Sequence, residues 1–196
     1  MQLIPIIKYQ GYHNMKKHHY NWKDIETMCM NIVLQMYKDN WRPDYIVGIT
    51  RGGNIPATII SNMTGISCHA LKVSLRDDDV SESNCWMAED AFGYVDAEEQ
   101  KDVGCRWDNK RRKNILIVDD INDTGATFNW IKQDWQSSCL PNEDNGWNSV
   151  WDGDIANVRF ATLTNNDASE FDNVRYTCHE INKAEEDVWL VYPWEM

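Results

Sequence analysis

No stretch of this chain approaches the run of about eighteen apolar residues that a membrane-crossing helix needs. The opening residues, Met1-Gln-Leu-Ile-Pro5, have neither the basic flank nor the apolar core of a signal peptide. Paired cysteines are missing too. Cys29, Cys68, Cys85, Cys105, Cys139 and Cys178 stand singly, with no C-x-x-C pair and no histidine at ligand spacing. That pattern argues against a disulfide framework or a zinc site and leaves buried free thiols as the expectation. Basic residues are scarce as well, 19 Lys+Arg against 31 Asp+Glu, for a formal net charge of -12. A protein that binds nucleic-acid phosphates broadly needs a basic face to displace counterions, so no such role is expected. These absences point to a soluble, cytoplasmic protein with neither membrane nor nucleic acid as partner.

What is present is a chain of 196 residues, 42% hydrophobic, long enough for one domain with a sizeable core. No linker divides it, and residues 1–196 read as a single domain. Ten tryptophans form no repeat. The charge is unevenly placed. Between Leu75 and Val103 ten acids stand against Arg76 and Lys101, which gives -8 of the -12. Arg106, Lys110, Arg111, Arg112 and Lys113 follow, with only Asp108 opposing. Residues 75–113 therefore read as a flexible acidic and basic loop, either self-compensating or able to close over a bound ligand.

Periodicity sets the order of elements. Trp22, Ile25, Met28, Cys29, Ile32, Val33, Met36 and Tyr37 recur at helical spacing after a capping Asn21, in a helix that ends near Asn40. Tyr45 to Thr50 is a short apolar run suited to a buried strand. A turn, Arg51-Gly52-Gly53-Asn54, leads into a helix from Ile55 to Met63 that Gly65 stops, and Cys68 to Val73 is the next strand. Ile115 to Val118 is the clearest strand, followed by a helix from about Ala126 to Ser137. Pro141 to Asp154 reads as a polar excursion, Val158 to Leu163 as a strand, and Asp187 to Trp194 as an extended aromatic close. Strands alternating with helices predict an α/β fold with a mainly parallel central sheet flanked by helices.

In such sheets ligands bind beyond the carboxyl ends of the strands, where both polar turns lie. The turn after Val118 has its own chemistry. Thr124 to Thr127 opens a helix, whose free N–H groups and dipole hold a phosphate. Gly125 permits close approach, and Asp119 and Asp120 offer carboxylates to ribose hydroxyls or to Mg²⁺. A phosphate cradle beside a diol-binding carboxylate pair describes a ribose 5-phosphate site.

Ile115-Leu-Ile-Val-Asp-Asp-Ile-Asn-Asp-Thr-Gly-Ala-Thr127 resembles the phosphoribosyl pyrophosphate (PRPP) signature of type I phosphoribosyltransferases. Ile46-Val-Gly-Ile-Thr-Arg-Gly-Gly-Asn-Ile-Pro-Ala57 is similar to the family's pyrophosphate loop. Asp187-Val-Trp-Leu-Val-Tyr-Pro-Trp-Glu195 resembles the small C-terminal hood of microbial xanthine-guanine and hypoxanthine phosphoribosyltransferases, expected here over residues 164–196.

The resemblance implies a type I phosphoribosyltransferase-like fold. It also implies Mg²⁺-dependent transfer of the ribose 5-phosphate of PRPP to a nucleobase, most readily a 6-oxopurine such as guanine, xanthine or hypoxanthine. Asp119 and Asp120 would bind the ribose, with Mg²⁺ held mainly through PRPP and also near these two acids. Asp123, Thr124, Gly125, Ala126 and Thr127 would bind the 5'-phosphate, and Arg51, Gly52 and Gly53 the pyrophosphate. Asp123 is the candidate general base, with helix capping as its competing role. Trp189 would stack on the base, with Leu190 at its edge. The family places a lysine just after the strand matching Val158 to Leu163, facing the 6-oxo group. Thr164-Asn165-Asn166 stands there instead, which makes Asn166 the candidate base contact. A homodimer is expected. The alternatives are a non-catalytic PRPP-binding regulator and a phosphoribosyltransferase for a different base. His13, His18, His19, His69 and His179 carry no assigned role.

Overall fold

The computed structural model describes residues 16–73, 85–104, 106–139, 148–186 and 188–195. The elements run β1 (Lys16–His19), α1 (Trp22–Lys38), β2 (Tyr45–Thr50), α2 (Asn54–Thr64), β3 (Ser67–Lys72), α3 (Cys85–Phe92), α4 (Gln100–Val103), β4 (Ile115–Asn122), α5 (Ala126–Cys139), α6 (Asn148–Trp151), β5 (Val158–Asn166), β6 (Val174–Ile181) and β7 (Val188–Val191). β3, β2, β4, β5 and β6 lie side by side in that order, all parallel, as the alternating pattern predicted.

Both faces of this sheet are covered, which is why its central strands read as continuous apolar runs. Ile46, Leu116, Val118, Ala161 and Leu163 point to one side, against Ile25, Cys29, Ile32 and Met36 of α1 and Ala57 and Ile60 of α2. Tyr45, Val47, Ile49, Ile115, Ile117 and Phe160 point to the other, against α3, α5 and α6. The α1 start is set by a capping box. The Asn21 side chain accepts from the Lys23 and Asp24 amides, while the Asp24 carboxylate accepts from the Asn21 amide at 2.8 Å. Burial pushes the Cys29 thiol up to about 12 and the Cys178 thiol up to about 11, but of the free thiols described only Cys29 is fully buried, Cys68 and Cys178 are half-buried and Cys85 is exposed, so the expectation of buried thiols holds only in part.

Three segments differ from the reading of the sequence. The acidic stretch contains α3 and α4, and Met87, Ala88, Ala91 and Phe92 are buried on one α3 face, so residues 85–104 belong to the body of the fold. The basic cluster serves it: Lys113 pairs with Asp90 at 2.8 Å, Arg111 with Glu99, and Arg112 donates to Ser149 at 2.7 Å. Arg76 lies outside the described residues. Within the expected polar excursion, α6 buries Val150 and Trp151. Finally, β6 is an edge strand of the main sheet, so the hood is the separate parallel pair of β1 and β7, in register from Lys16 with Val188 to His19 with Val191. An N-terminal strand was not anticipated there, because four exposed basic residues carry no apolar alternation.

Candidate active site

β2 and β4 are neighbours, in register from Tyr45 with Ile115 to Gly48 with Val118. Their carboxyl ends therefore deliver the two polar turns side by side. Contact between the turns depends on the absence of side chains at two positions. A Cβ on Gly52 would fall on the Asp120 carboxylate, and one on Gly53 would lie 2.7 Å from the Asp119 Cα. The peptide between Thr50 and Arg51 is cis. Arg51 is exposed at the rim of this turn, and Gly53 precedes the first turn of α2.

The second turn leads into α5, a helix of 14 residues whose first-turn N–H groups have no intrahelical acceptor. Gly125 has φ +85, and Phe171 N lies 2.5 Å from where its Cβ would stand, so the turn needs glycine on both counts. The loop is pinned from the β5–β6 connection. Asn166 donates to the Asp123 carbonyl at 2.8 Å, Glu170 N to the Thr124 carbonyl at 3.1 Å, and Asn122 to the Phe171 carbonyl at 2.9 Å. Thr124 is exposed, with its Oγ1 accepting from Ala126 N at 3.4 Å, and Thr127 is half-buried.

Asp119 and Asp120 lie at the end of β4. Burial, and then the neighbouring Asp120 charge, holds the Asp119 carboxyl well above the usual carboxylate range. Burial pushes Asp120 up to about 6, with Glu195 adding to the rise. The Asp120 carboxylate accepts from Ile121 N at 2.9 Å, and that of Asp119 from Asp120 N at 3.0 Å. The third acid, Asp123, is paired with Lys183 Nζ at 2.9 Å.

The structure thus sets Gly52 against Asp120 and Gly53 against Asp119, with Arg51 next to the first turn and Asp123 to Thr127 continuing the second. Trp189 is 47% exposed on β7, while Val188 and Leu190 on either side are buried by strand alternation. The Asn166 amide is already engaged, with Asp123 on one side and with Ala168 N and Lys183 N on the other. It ties the Asp123 turn to the segment beyond β6. Two residues were missed. Lys183 arrives from beyond β6 with no local motif, and Tyr192 stands beneath the site with its hydroxyl 3.0 Å from the Asp120 carbonyl oxygen. Both meet the site only through long-range folding, so nothing in the adjacent sequence signals them.

The model of the phosphoribosyl transferase domain family matches residues 15–133, more than half of the chain. The chain belongs to this family. Hypoxanthine-guanine phosphoribosyltransferase of Schizosaccharomyces pombe is 26% identical over 203 residues, spanning 90% of this chain and 88% of that protein. Xanthine phosphoribosyltransferase 1 of Saccharomyces cerevisiae is 24% identical over 192 residues, spanning 89% and 88%. The fold is shared with the purine phosphoribosyltransferase of Pyrococcus horikoshii, with TM-score 0.59, 19% identity and coverage of 93% of this chain and 96% of the other. It is shared also with the xanthine-guanine-hypoxanthine phosphoribosyltransferase of Helicobacter pylori, with TM-score 0.60, 14% identity and coverage of 92% and 94%. This phosphoribosyltransferase is an enzyme with a type I fold, and its matched region ends within α5, just past the turn of residues 123–127.

Proposed function

We propose that this phosphoribosyltransferase transfers the ribose 5-phosphate of PRPP to a 6-oxopurine, with Mg²⁺ as cofactor. The observation that supports this most is the Asp123–Lys183 pair beside the phosphate cradle. It sets a carboxylate acceptor next to an ammonium donor. A 6-oxopurine offers the complementary edge, a ring N–H next to a carbonyl oxygen. A 6-aminopurine offers two donors and would set one against the lysine. Lys183, from the turn beyond β6, thereby supplies the cation missing after β5. The names of the two yeast relatives, hypoxanthine-guanine and xanthine phosphoribosyltransferases, agree with this choice of base.

In the reaction a ring nitrogen bonds to C1 of the ribose as the C1–oxygen bond to pyrophosphate breaks, and the proton on the neighbouring ring nitrogen passes to Asp123. The α5 N-terminus with Thr124 and Thr127 holds the 5'-phosphate, and the backbone at Arg51 to Gly53 receives the leaving pyrophosphate. Trp189 provides a face for stacking, with the Leu190 backbone beside it. Asp119 and Asp120 fit a divalent cation: two adjacent, partly buried carboxyls raised by burial are neutralised by one. Asp119 and Asp120 would hold Mg²⁺ together with PRPP, and the ion would supply positive charge toward the leaving pyrophosphate.

The test separates chemistry from binding. Asp123→Asn lowers kcat with guanine by more than about 100-fold while the PRPP Kd changes by less than about threefold. Asp119→Ala with Asp120→Ala weakens PRPP binding itself. Wild-type rates in Asp123→Asn would remove Asp123 from the role of base.

A further inference from the structure

A chain of hydroxyls runs from the hood into the active site. Tyr192 follows β7, and its hydroxyl lies 3.0 Å from the Asp120 carbonyl oxygen and 3.2 Å from Thr164 Oγ1. Thr164 Oγ1 is 3.2 Å from the hydroxyl of Tyr20, which in turn meets His179 Nδ1. The Tyr192 hydroxyl is the donor to both the Asp120 carbonyl and Thr164 Oγ1, and either hydroxyl can donate between Tyr20 and Thr164.

The chain ends on a peptide group that matters. The carbonyl of the Asp120–Ile121 peptide is held by Tyr192, and its N–H is held by the Asp120 carboxylate at 2.9 Å. The orientation of that peptide therefore sets the orientation of the carboxylate. Tyr192 itself is immobilised. It is 2% exposed, stacked on Tyr20 with ring centroids 5.2 Å apart and on Trp194 at 4.9 Å with planes 6° apart. It also stands three residues beyond Trp189 on the same short segment.

We propose that Tyr192 is a positioning residue that couples the hood to the ribose-binding carboxylates, so that a base seated on the hood and PRPP on the loop strengthen each other's binding. The proposal rests on the purine phosphoribosyltransferase reading above. Seating a base against Trp189 steadies β7 and the Tyr192 hydroxyl, which steadies the Asp120 peptide and its carboxylate. By linkage, PRPP does the same for the base.

Calorimetry of PRPP with Mg²⁺, with and without a 9-deazapurine whose ring carbon cannot form the glycosidic bond, reads the coupling directly. Wild-type protein binds PRPP about tenfold more tightly when the deazapurine is present. Tyr192→Phe keeps the stacked ring, loses about fivefold in PRPP affinity, and brings the coupling factor close to one. Thr164→Val, which removes the second oxygen that anchors the Tyr192 hydroxyl, moves both values the same way and serves if the first variant folds poorly. Tyr20→Phe, two links away, changes PRPP affinity by less than about twofold.

Unchanged affinity and coupling in Tyr192→Phe would overturn the proposal, as would an equal loss in Tyr20→Phe, which would mark a packing effect. PRPP binding in the wild type without any coupling overturns the coupling alone. No PRPP binding at all overturns the proposed function with it.

Discussion

Asp119 and Asp120 are poorly placed for stability, because burial raises both carboxyls. With the Asp120 carboxyl at about 6 in the folded protein, the native state binds that proton more tightly than the unfolded chain does. Stability of the ligand-free protein therefore falls as pH rises through roughly 4 to 6. The decline should flatten in Asp120→Asn, and the Tm of that variant at pH 7.5 should exceed the wild type by a few degrees. Its PRPP affinity should drop at least about tenfold, since a buried charged contact is lost. Thermal melts across pH with parallel calorimetry check both, and a lower Tm in Asp120→Asn would contradict the account. Lys183→Met should reduce kcat/KM for guanine by about 10- to 100-fold, the range for a hydrogen bond to a charged group, and narrow the preference over adenine. An unchanged preference would detach Lys183 from base choice.

The elements show what sequence makes visible. β4 and the cradle after it were legible because their chemistry is local: four apolar residues, two acids, then a glycine and threonines at a helix start. β2 with its turn was legible for the same reason. α3 was hidden because its acids, Glu89 and Asp90, share eight residues with the buried Met87, Ala88, Ala91 and Phe92, and the count of charges outweighed the apolar face. Lys183 and Tyr192 were invisible because their partners lie 60 and 72 positions away in the chain. The close approach of the two turns yields a prediction of its own. Gly52→Ala should leave α2 and the sheet intact, with Tm within about 3 °C of wild type, because the Asp120 side chain can yield. The displaced carboxylate should raise the PRPP KM at least about fivefold. Full activity in Gly52→Ala would show that the turns do not meet.

For the whole molecule, the net charge of -12 divides into parts with separate functions. The acids of α3 and the segment after it are countered locally by Lys113 and Arg111, at exposures where ion pairs contribute little. Arg111→Gln should accordingly shift the Tm by less than about 2 °C and leave the PRPP KM unaltered, which thermal melts and steady-state rates will show. A raised PRPP KM would instead mean that this cluster reaches the ligand. The three acids proposed for the chemistry are Asp119 and Asp120, which lie against the Gly52-Gly53 turn, and Asp123, just past the end of β4. Pyrophosphate release from PRPP and Mg²⁺, assayed across guanine, hypoxanthine, xanthine, adenine and orotate, tests the central claim most directly. The account predicts release that requires an added base, is strongest with the three 6-oxopurines, and stops when Mg²⁺ is chelated. Release with adenine or orotate alone would contradict the donor and acceptor arrangement of Lys183 and Asp123, and PRPP binding without turnover on any base would mark a regulator in place of the proposed purine enzyme.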